Sequence, residues 1–277
     1  MIVVLDILYS VLVLMMVVQG LAIIFGLLRV INLAHGELMM LGAYSLWLLS
    51  QTPVPFVFSL LITAVGMAAV GGVMYYLVIK RIRHRLLDTI LATWGVSIVL
   101  QQLIRLCFGS GSQHLEAPTT QLILLFGHDY PLYRLIVMGL SLLSLAGLYV
   151  LFFGTRFGVK ARAVISNPTL ATAAGLPAEK LYLISFMIGG MMAGVAGAVI
   201  APTMSISPLM GGDYLVPAFL SVLIGGLGSI ISALSGAAVI AGSQSLLTVL
   251  FDPVIAQLGM LGLAIALLKW FPSGLFK

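Results

Sequence analysis

The stretch "RVINLAHGELMMLGAY", from Arg29 to Tyr44, brings an arginine, an asparagine, a histidine and a glutamate together between two long apolar runs. Polar residues are ordinary on the surface of a soluble domain. Inside a membrane, ionisable side chains are costly and usually face a bundle interior or a water-filled cavity. What this stretch does therefore depends on the kind of solvent that surrounds the chain.

The composition indicates an integral membrane protein. Hydrophobic residues make up 61% of the 277 residues and charged residues only 8%, whereas soluble domains are roughly 45–50% apolar and about 25% charged. So few charges cannot cover a soluble domain of this length, but lipid makes an apolar exterior stable. The single cysteine, Cys107, excludes an internal disulfide and a thiol pair. We expect residues 1–20 to be a retained helix, because they lack a basic segment and a small-residue cleavage site.

Apolar runs and helix breakers predict an all-α polytopic membrane protein with about eight or nine transmembrane helices in one domain, residues 1–277. A bilayer core of about 30 Å takes roughly 20 apolar residues per helix. The predicted spans are 3–27, 34–50, 54–79, 87–107, 131–154, 181–201, 213–227, 230–250 and 254–271. The two short spans, 34–50 and 213–227, could instead cross only half of the membrane.

The basic residues predict the orientation. If the connector "KRIRHR" (80–85) is cytoplasmic, eleven of the thirteen lysines and arginines lie on that side, as the positive-inside rule requires. The N-terminus is then external and the C-terminus cytoplasmic. Orientation explains these charges better than nucleic-acid binding does. No loop is long enough to hold a catalytic or nucleotide-binding domain, so any energy source lies in another chain.

Many of the thirty glycines cluster inside spans. "GGMMAGVAG" (189–197) places Gly190 and Gly194 four residues apart, a spacing that lets helix backbones approach closely in lipid. Packing within the chain is the simpler interpretation, and a dimer face is the alternative. "GGLGS" (225–229) matches neither a dinucleotide fingerprint nor a P-loop and predicts a tight turn.

The polar stretch itself has two interpretations. In the structural one, Arg29 extends to the headgroups while Asn32 and His35 hydrogen-bond a bend between two spans. In the functional one, a broken helix lines a solute path with freed backbone groups and side chains. Glu37 is then paired with Arg29 or a partner subunit, or is protonated. "HGE" lacks the second histidine of a zinc-binding helix, so we predict no metal site.

Residues 20–44 resemble the signature of the permease subunits of ABC importers in the branched-chain amino acid (LivH-like) family. Three further segments also resemble that family: the cytoplasmic loop 158–176, "GGLGSIISALSGA" (225–237) and "FPSGLF" (271–276). The resemblance covers nearly the whole chain and implies a type II-like permease fold. Segment 86–109, "LLDTILATWGVSIVLQQLIRLCFG", is similar to the urea-importer (UrtB-like) branch.

The chain departs from the family pattern in two places. Pro168 and Pro177 interrupt the cytoplasmic loop, and 225–237 lacks the Gly or Pro usual after its Ser-Ile pair. Both departures concern the geometry of loops and turns.

The resemblance implies one subunit of an importer in the bacterial inner membrane. Its expected partners are a second permease (LivM- or UrtC-like, forming a heterodimer, or a second copy), two cytoplasmic ATPases and a periplasmic solute-binding protein. ATP and magnesium would bind the ATPases, and this chain would hold no cofactor and catalyse no reaction. The expected solute is urea or a short amide, moved by alternating access, and branched-chain amino acids are the alternative.

A coupling loop is expected at residues 156–180. Within it, "NPTLATAAGLP" (167–177) predicts a short helix with an asparagine N-cap, a proline at the first helical position, and a glycine and a proline at its end. Such a helix would dock into a groove of an ATPase, or alternatively only anchor the loop. The candidate coupling residues are Arg162, Asn167, Pro168, Ala173, Ala174 and Gly175.

Uncharged hydrogen-bonding side chains suit a planar neutral solute such as urea. In the span 87–107, Trp94 and Gln101 share one helix face, and Trp94 could stack on a solute or pack between helices. The candidate residues of the translocation path are Asn32, His35, Glu37, Thr93, Trp94, Gln101 and Gln102.

Two other classes of protein are alternatives. A passive channel needs no ATPase, so deleting a capped cytoplasmic helix would leave its flux intact. An intramembrane enzyme needs a nucleophile with a base, or a set of metal ligands, on facing spans. The histidines offer no such set, since three of the four lie in connectors: His84, His114 and His128.

Overall fold

The structure, a computed structural model, describes residues 2–83, 85–226 and 229–275. These ranges are almost entirely helical. The helices are α1 (Ile2–Leu28), α2 (His35–Ser50), α3 (Phe56–Ile82), α4 (Leu86–Phe108), α5 (Leu132–Gly154), α6 (Arg156–Ser166), α7 (Pro168–Ala173), α8 (Ala178–Ile200), α9 (Met210–Gly225), α10 (Ile230–Leu250) and α11 (Pro253–Trp270). One short antiparallel hairpin, β1 (Leu122–Leu125) and β2 (His128–Pro131), precedes α5.

The helix bounds confirm the predicted membrane fold. Seven helices of the described ranges are long and apolar enough to cross a membrane: α1, α3, α4, α5, α8, α10 and α11. The short predicted spans 34–50 and 213–227 correspond to α2 and α9, which have 16 residues each and are about 24 Å long. The predicted number of eight or nine spans is therefore approximate. It corresponds to seven full-length helices and two that are shorter than the bilayer core of about 30 Å.

Helix α8 lies at the centre of the bundle, where small residues bring backbones into contact. A Cβ atom added at Gly42 of α2 would lie 2.0 Å from the carbonyl oxygen of Gly194. A Cβ atom added at Gly190 would likewise lie 3.0 Å from the Cα atom of Gly71 on α3. The glycine-rich segment thus packs within the chain, as the simpler interpretation predicted, because only a missing side chain permits such close approach in lipid.

The first two helices are joined by a non-helical segment that turns back into the bundle. Residues 29–34 are not helical, and Arg29 adopts a left-handed conformation (φ 52°). His35, the first residue of α2, reaches the backbone carbonyl of Val17, about midway along α1. Helix α2 then runs to the end of α4, where Tyr44 stacks on Phe108 at 5.2 Å between ring centroids. This segment is the break between two helices that both interpretations of the polar stretch predicted.

Helix α9 starts beside the start of α2 and runs in the opposite direction. Its second residue, Gly211, meets Gly36 backbone to backbone, so a Cβ at Gly36 would lie 2.5 Å from the Gly211 carbonyl oxygen. The other end of α9 lies by the C-terminal tail, where the Leu275 amide donates to the Ile224 carbonyl at 2.8 Å. The two half-length helices therefore start at one depth and run towards opposite faces. The turn predicted at 225–229 has Leu227 and Gly228 outside the described residues.

The hairpin and its surroundings were not predicted from the sequence. Arg134 at the start of α5 forms an ion pair of 2.8 Å with Asp6 of α1. Tyr130 of β2 donates to the same carboxylate at 3.4 Å. Burial, followed by the charge of Asp6, raises the pKa of the Tyr130 hydroxyl, so this group remains a donor at neutral pH. These contacts join the hairpin to α1 and α5.

The glycine contacts generate a stability prediction. We expect Gly42→Ala to lower the free energy of unfolding by about 1–3 kcal/mol, because the added methyl overlaps the backbone of α8. Gly66→Ala is the matched control, since its Cβ would meet nothing within 4 Å and alanine favours a helix by about 0.5–1 kcal/mol over glycine. Thermal unfolding of the purified protein in detergent, followed by circular dichroism, measures both. Equal unfolding midpoints for the two variants would contradict the packing described here.

Candidate functional site

A buried carboxylate lies at the start of α2. Glu37 is only 4% exposed, and its Oε1 accepts a hydrogen bond of 2.7 Å from Nε2 of Gln101 on α4. The same amide nitrogen lies 3.4 Å from the Ser97 hydroxyl. Two predicted path residues, Glu37 and Gln101, are thus brought together, and Ser97 joins them.

Of the three states that the sequence allowed for Glu37, the pairing with Arg29 is not found among the ion pairs of the described ranges. Arg29 is exposed at the end of α1, while Glu37 lies deeper, in the first turn of α2. Ion pairs in the described ranges join other residues: Arg83 with Glu179, Arg85 with Asp88, and Arg134 with Asp6. The backbone between Arg29 and Glu37 folds back into the bundle, so nearness in sequence does not place the two charges together.

The bend at residues 29–34 is stabilised by side chains that replace missing helical hydrogen bonds. The Leu33 amide donates to Oγ1 of Thr93 at 3.1 Å, and the Ala34 amide donates to Oδ1 of Asn32 at 3.2 Å. His35 Nε2 lies 3.1 Å from the Val17 carbonyl oxygen, which can only accept, so Nε2 carries the proton. Asn32 and His35 therefore hydrogen-bond the bend, as one of the two interpretations predicted. Thr93, for which the sequence predicted only a place in the path, joins them.

Three side chains between Asn32 and Glu37 each have a polar atom that makes no hydrogen bond within the described ranges. In the part of the chain that the structure describes, Asn32 Nδ2, His35 Nδ1 and Glu37 Oε2 are buried without a partner. Buried polar atoms are nearly always paired with protein or water. Three such atoms within six residues make the start of α2 a cluster of buried polar atoms that could bind water or a solute.

The remaining predicted path residues lie on the outer face of α4. Trp94 is 56% exposed and Gln102 is also exposed, whereas Thr93 and Ser97 face the bundle. Trp94 therefore does not pack between helices of this chain. Gln101 is half-buried between the two faces, so it joins the buried carboxylate to the outer face of α4.

The short helix predicted within residues 167–177 is present as α7. Asn167 caps it, since its Oδ1 accepts from the Leu170 amide at 2.9 Å, and Pro168 begins it. Gly175 follows with φ +82°, a left-handed conformation that ends helices. Leu170 is 68% exposed, and the coupling candidates on and after α7 are exposed as well: Ala173, Ala174 and Gly175.

Arginines tie the segments beside α7 to the spans. The Arg162 guanidinium of α6 donates to the Phe152 carbonyl in the π-helical turn that ends α5, and it lies 5.1 Å from the Phe153 ring centroid. Its contacts are thus internal and anchor α6 to α5.

On the other side of α7, the start of α8 is tied to the end of α3. Arg83 forms an ion pair with Glu179, and the Tyr75 hydroxyl donates to the same carboxylate at 2.9 Å. The Arg83 guanidinium also lies 4.5 Å from the Tyr182 ring centroid. Sequence reasoning missed this network because its two halves are about a hundred residues apart. The only available signal was opposite charge on one side of the membrane.

A polar cavity that the sequence did not reveal lies between α1, α9 and α10. Its volume is about 370 Å³, and its lining includes Tyr9, Asp213, Tyr214, Gln244 and Thr248. The i, i+4 spacing of Gln244 and Thr248 within an apolar span was the one signal available for it.

Comparison with known proteins identifies the family. A family model described as a branched-chain amino acid transport system, permease component, matches residues 3–268. The chain belongs to this family of ABC-type permeases. This permease is accordingly a multi-pass protein of the inner (plasma) membrane, as the sequence predicted. No solved structure matches it.

The permease is similar to curated relatives along most of its length. A probable branched-chain amino acid transport permease, LivH of Methanocaldococcus jannaschii, is 31% identical over 248 residues, covering 85% of this chain and 77% of the relative. The high-affinity branched-chain amino acid permease LivH of Escherichia coli (strain K12) is 23% identical over 272 residues, or 92% of this chain and 88% of the relative. The xylose permease XylH of Escherichia coli (strain K12) is 28% identical over 144 residues, half of this chain.

These relatives bear on the expected solute. The sequence favoured urea or short amides, with branched-chain amino acids as the alternative. The family description names branched-chain amino acids, and so do the names of both relatives that match over most of this chain. They therefore favour the alternative.

The hydrogen bond between Leu33 and Thr93 generates the second prediction. Thr93→Val keeps the side-chain shape but leaves the partly buried Leu33 amide without this acceptor, which we expect to lower the free energy of unfolding by about 1–2 kcal/mol. Thr248→Val is the control, because that exposed hydroxyl bonds only to the Gln244 carbonyl of its own helix. Its effect should stay within about 0.5 kcal/mol. Similar thermal unfolding midpoints for the two valine variants would show that Thr93 does not support the bend.

Proposed function

We propose that this permease is the membrane-spanning subunit of an ATP-driven importer that carries branched-chain amino acids by alternating access. The observation that carries the proposal is the exposed, capped helix α7, which lies between two segments anchored to the spans. A chain that works alone has no need for such a helix. Family membership supplies the solute class, since the relatives that match over most of this chain are named for branched-chain amino acids.

The proposed complex contains four further components. A second permease, LivM-like or a second copy, forms the other half of the pore. Two cytoplasmic ATPases bind ATP and magnesium, and a periplasmic protein delivers the solute. The connectors are too short to hold a nucleotide-binding domain, so ATP hydrolysis has to occur in other chains. Most of the affinity for the solute lies in the binding protein.

The proposed transmission of motion follows the contacts around α7. An ATPase groove holds α7 by Leu170 and by small exposed residues such as Ala173 and Ala174. Movement of α7 then reaches α5 through Arg162 and the Phe152 carbonyl. It reaches α3 and α8 through the ion pair between Arg83 and Glu179. Because α8 packs on α1, α2 and α3 through glycine contacts, its displacement shifts the bend at 29–34.

The proposed path passes the start of α2. Candidate residues facing the bundle are Asn32, His35, Glu37, Thr93 and Gln101, while Trp94 and Gln102 extend the path on the exposed face of α4. A bend of this kind is tolerated in a membrane only where it meets protein or a water-filled cavity. The polar cavity lined by Asp213 and Gln244 offers a wet region between α1 and α9 on the side where α1 begins.

Transport by the reconstituted complex tests the solute class. With the second permease, both ATPases, the binding protein and ATP in liposomes, we expect uptake of labelled L-leucine and no uptake of labelled urea. Omission of ATP should abolish leucine uptake, because the spans move only when the ATPases close. Urea uptake without leucine uptake would restore the urea interpretation, and ATP-independent flux would indicate a passive channel.

A substitution in α7 tests the coupling role. Ala173→Arg places a bulky charge on the exposed face of α7, which we expect to abolish co-purification of the ATPases with the permease. The matched control is Thr120→Arg, an exposed site in the loop before the hairpin, on the opposite side of the membrane by the predicted orientation. It should leave assembly intact. Unchanged ATPase binding by Ala173→Arg would indicate that α7 only anchors the loop.

A further inference from the structure

Among the residues that the structure describes, none forms an ion pair with the Glu37 carboxylate. Its Oε1 is bonded to the neutral Gln101 amide, and within the described ranges its buried Oε2 has no partner. A charge removed from water is costly unless it is paired, and ionisable groups inside membrane bundles usually serve a transported species. The carboxylate therefore needs a partner from outside these residues.

The surroundings of Glu37 fit a negative charge that awaits a cation. Glu37 lies in the first turn of α2, where the positive end of the helix dipole stabilises an anion. Two uncharged side chains of α4, Gln101 and Ser97, lie beside the carboxylate. On the α9 side, the backbone of Gly211 packs against Gly36, the residue before Glu37. Across residues 2–83, 85–226 and 229–275, no lysine or arginine lies within ion-pair distance of it.

A neutral, protonated Glu37 fits this environment less well. A carboxylic acid is a hydrogen-bond donor and needs an acceptor for its proton. Oε1 already accepts from Gln101, and the buried Oε2 has no hydrogen-bond partner in the described part of the chain. An ionised carboxylate needs only a donor, and an ammonium group supplies three.

We propose that Glu37, oriented by Gln101, binds the ammonium group of the amino acid as it passes the start of α2. This inference rests on the proposed function and deepens it, because it makes a positively charged amine a requirement of the path itself. Gln101 is half-buried on α4 and lies between Glu37 and the exposed face of that helix, so the pair is reached from the α4 side. The bond is charge-assisted and forms only while the solute is there.

Isosteric substitution separates this role from a structural one. Glu37→Gln keeps the shape and removes the charge, and Glu37→Asp keeps the charge on a shorter chain. Uptake of labelled L-leucine and ATP hydrolysis stimulated by the leucine-loaded binding protein are measured together in the reconstituted complex. We expect about tenfold or greater loss of uptake in Glu37→Gln, higher uptake in Glu37→Asp than in Glu37→Gln, and stimulated hydrolysis retained in both. Glu37→Gln uptake equal to that of the wild type overturns the inference.

A second pair of variants keeps the test decisive if Glu37→Gln does not assemble. Gln101→Leu leaves the carboxylate in place but removes the amide that orients it, so leucine uptake should fall about threefold or more. Gln257→Leu is the matched control, an exposed glutamine in the span α11. Equal uptake by these two variants overturns the inference. If the wild-type complex takes up no leucine at all, the proposed function itself fails. If the wild type takes up leucine normally and Glu37→Gln does so equally well, only the inference about Glu37 fails.

Discussion

The need to satisfy backbone hydrogen bonds without water constrains this structure more than any other interaction. A helix meets that need internally, but residues 29–34 leave the helix while still inside the bundle. Two of their amides, those of Leu33 and Ala34, donate to the side chains of Thr93 and Asn32, which explains why polar residues occur between two apolar runs. The rest of the bundle holds these side chains in place. The bend can exist only because α4 and α2 are packed on either side of it.

Close helix packing is the second condition. Without a hydrophobic driving force between helices in lipid, association depends on contact between backbones. Glycines on α8 allow that contact with α1, α2 and α3 together. Glu179, the second residue of the same central helix, is tied to the end of α3. Helix α8 thus links the end of the bundle that carries α7 to the bundle interior, and the bend lies beside it.

Much of this fold was predictable because its main signals are local. Apolar run length gave the spans, and Asn167, Pro168 and Gly175 gave the bounds of α7, since caps depend on neighbouring residues. The contact between Glu37 and Gln101 was not predictable in detail, although both residues were candidates. Whether Glu37 would meet Arg29 or Gln101 depends on how residues 29–34 fold back. The network of Arg83 and Glu179 is missed for the same reason, because partners distant in sequence leave no local pattern.

Helix α4 differs from the other spans in how the chain holds it. Its bundle-facing side is joined to the start of α2 by directional hydrogen bonds from Thr93 and Gln101, while most of its surface is free of contacts with this chain. Directional bonds set the rotation of a helix about its axis but resist separation weakly. Helix α4 is therefore held to the chain less firmly than the helices of the glycine-packed centre. To move outward, α4 would have to break these bonds and the stacking of Phe108 on Tyr44, whereas the glycine contacts of α8 join other helices and would remain.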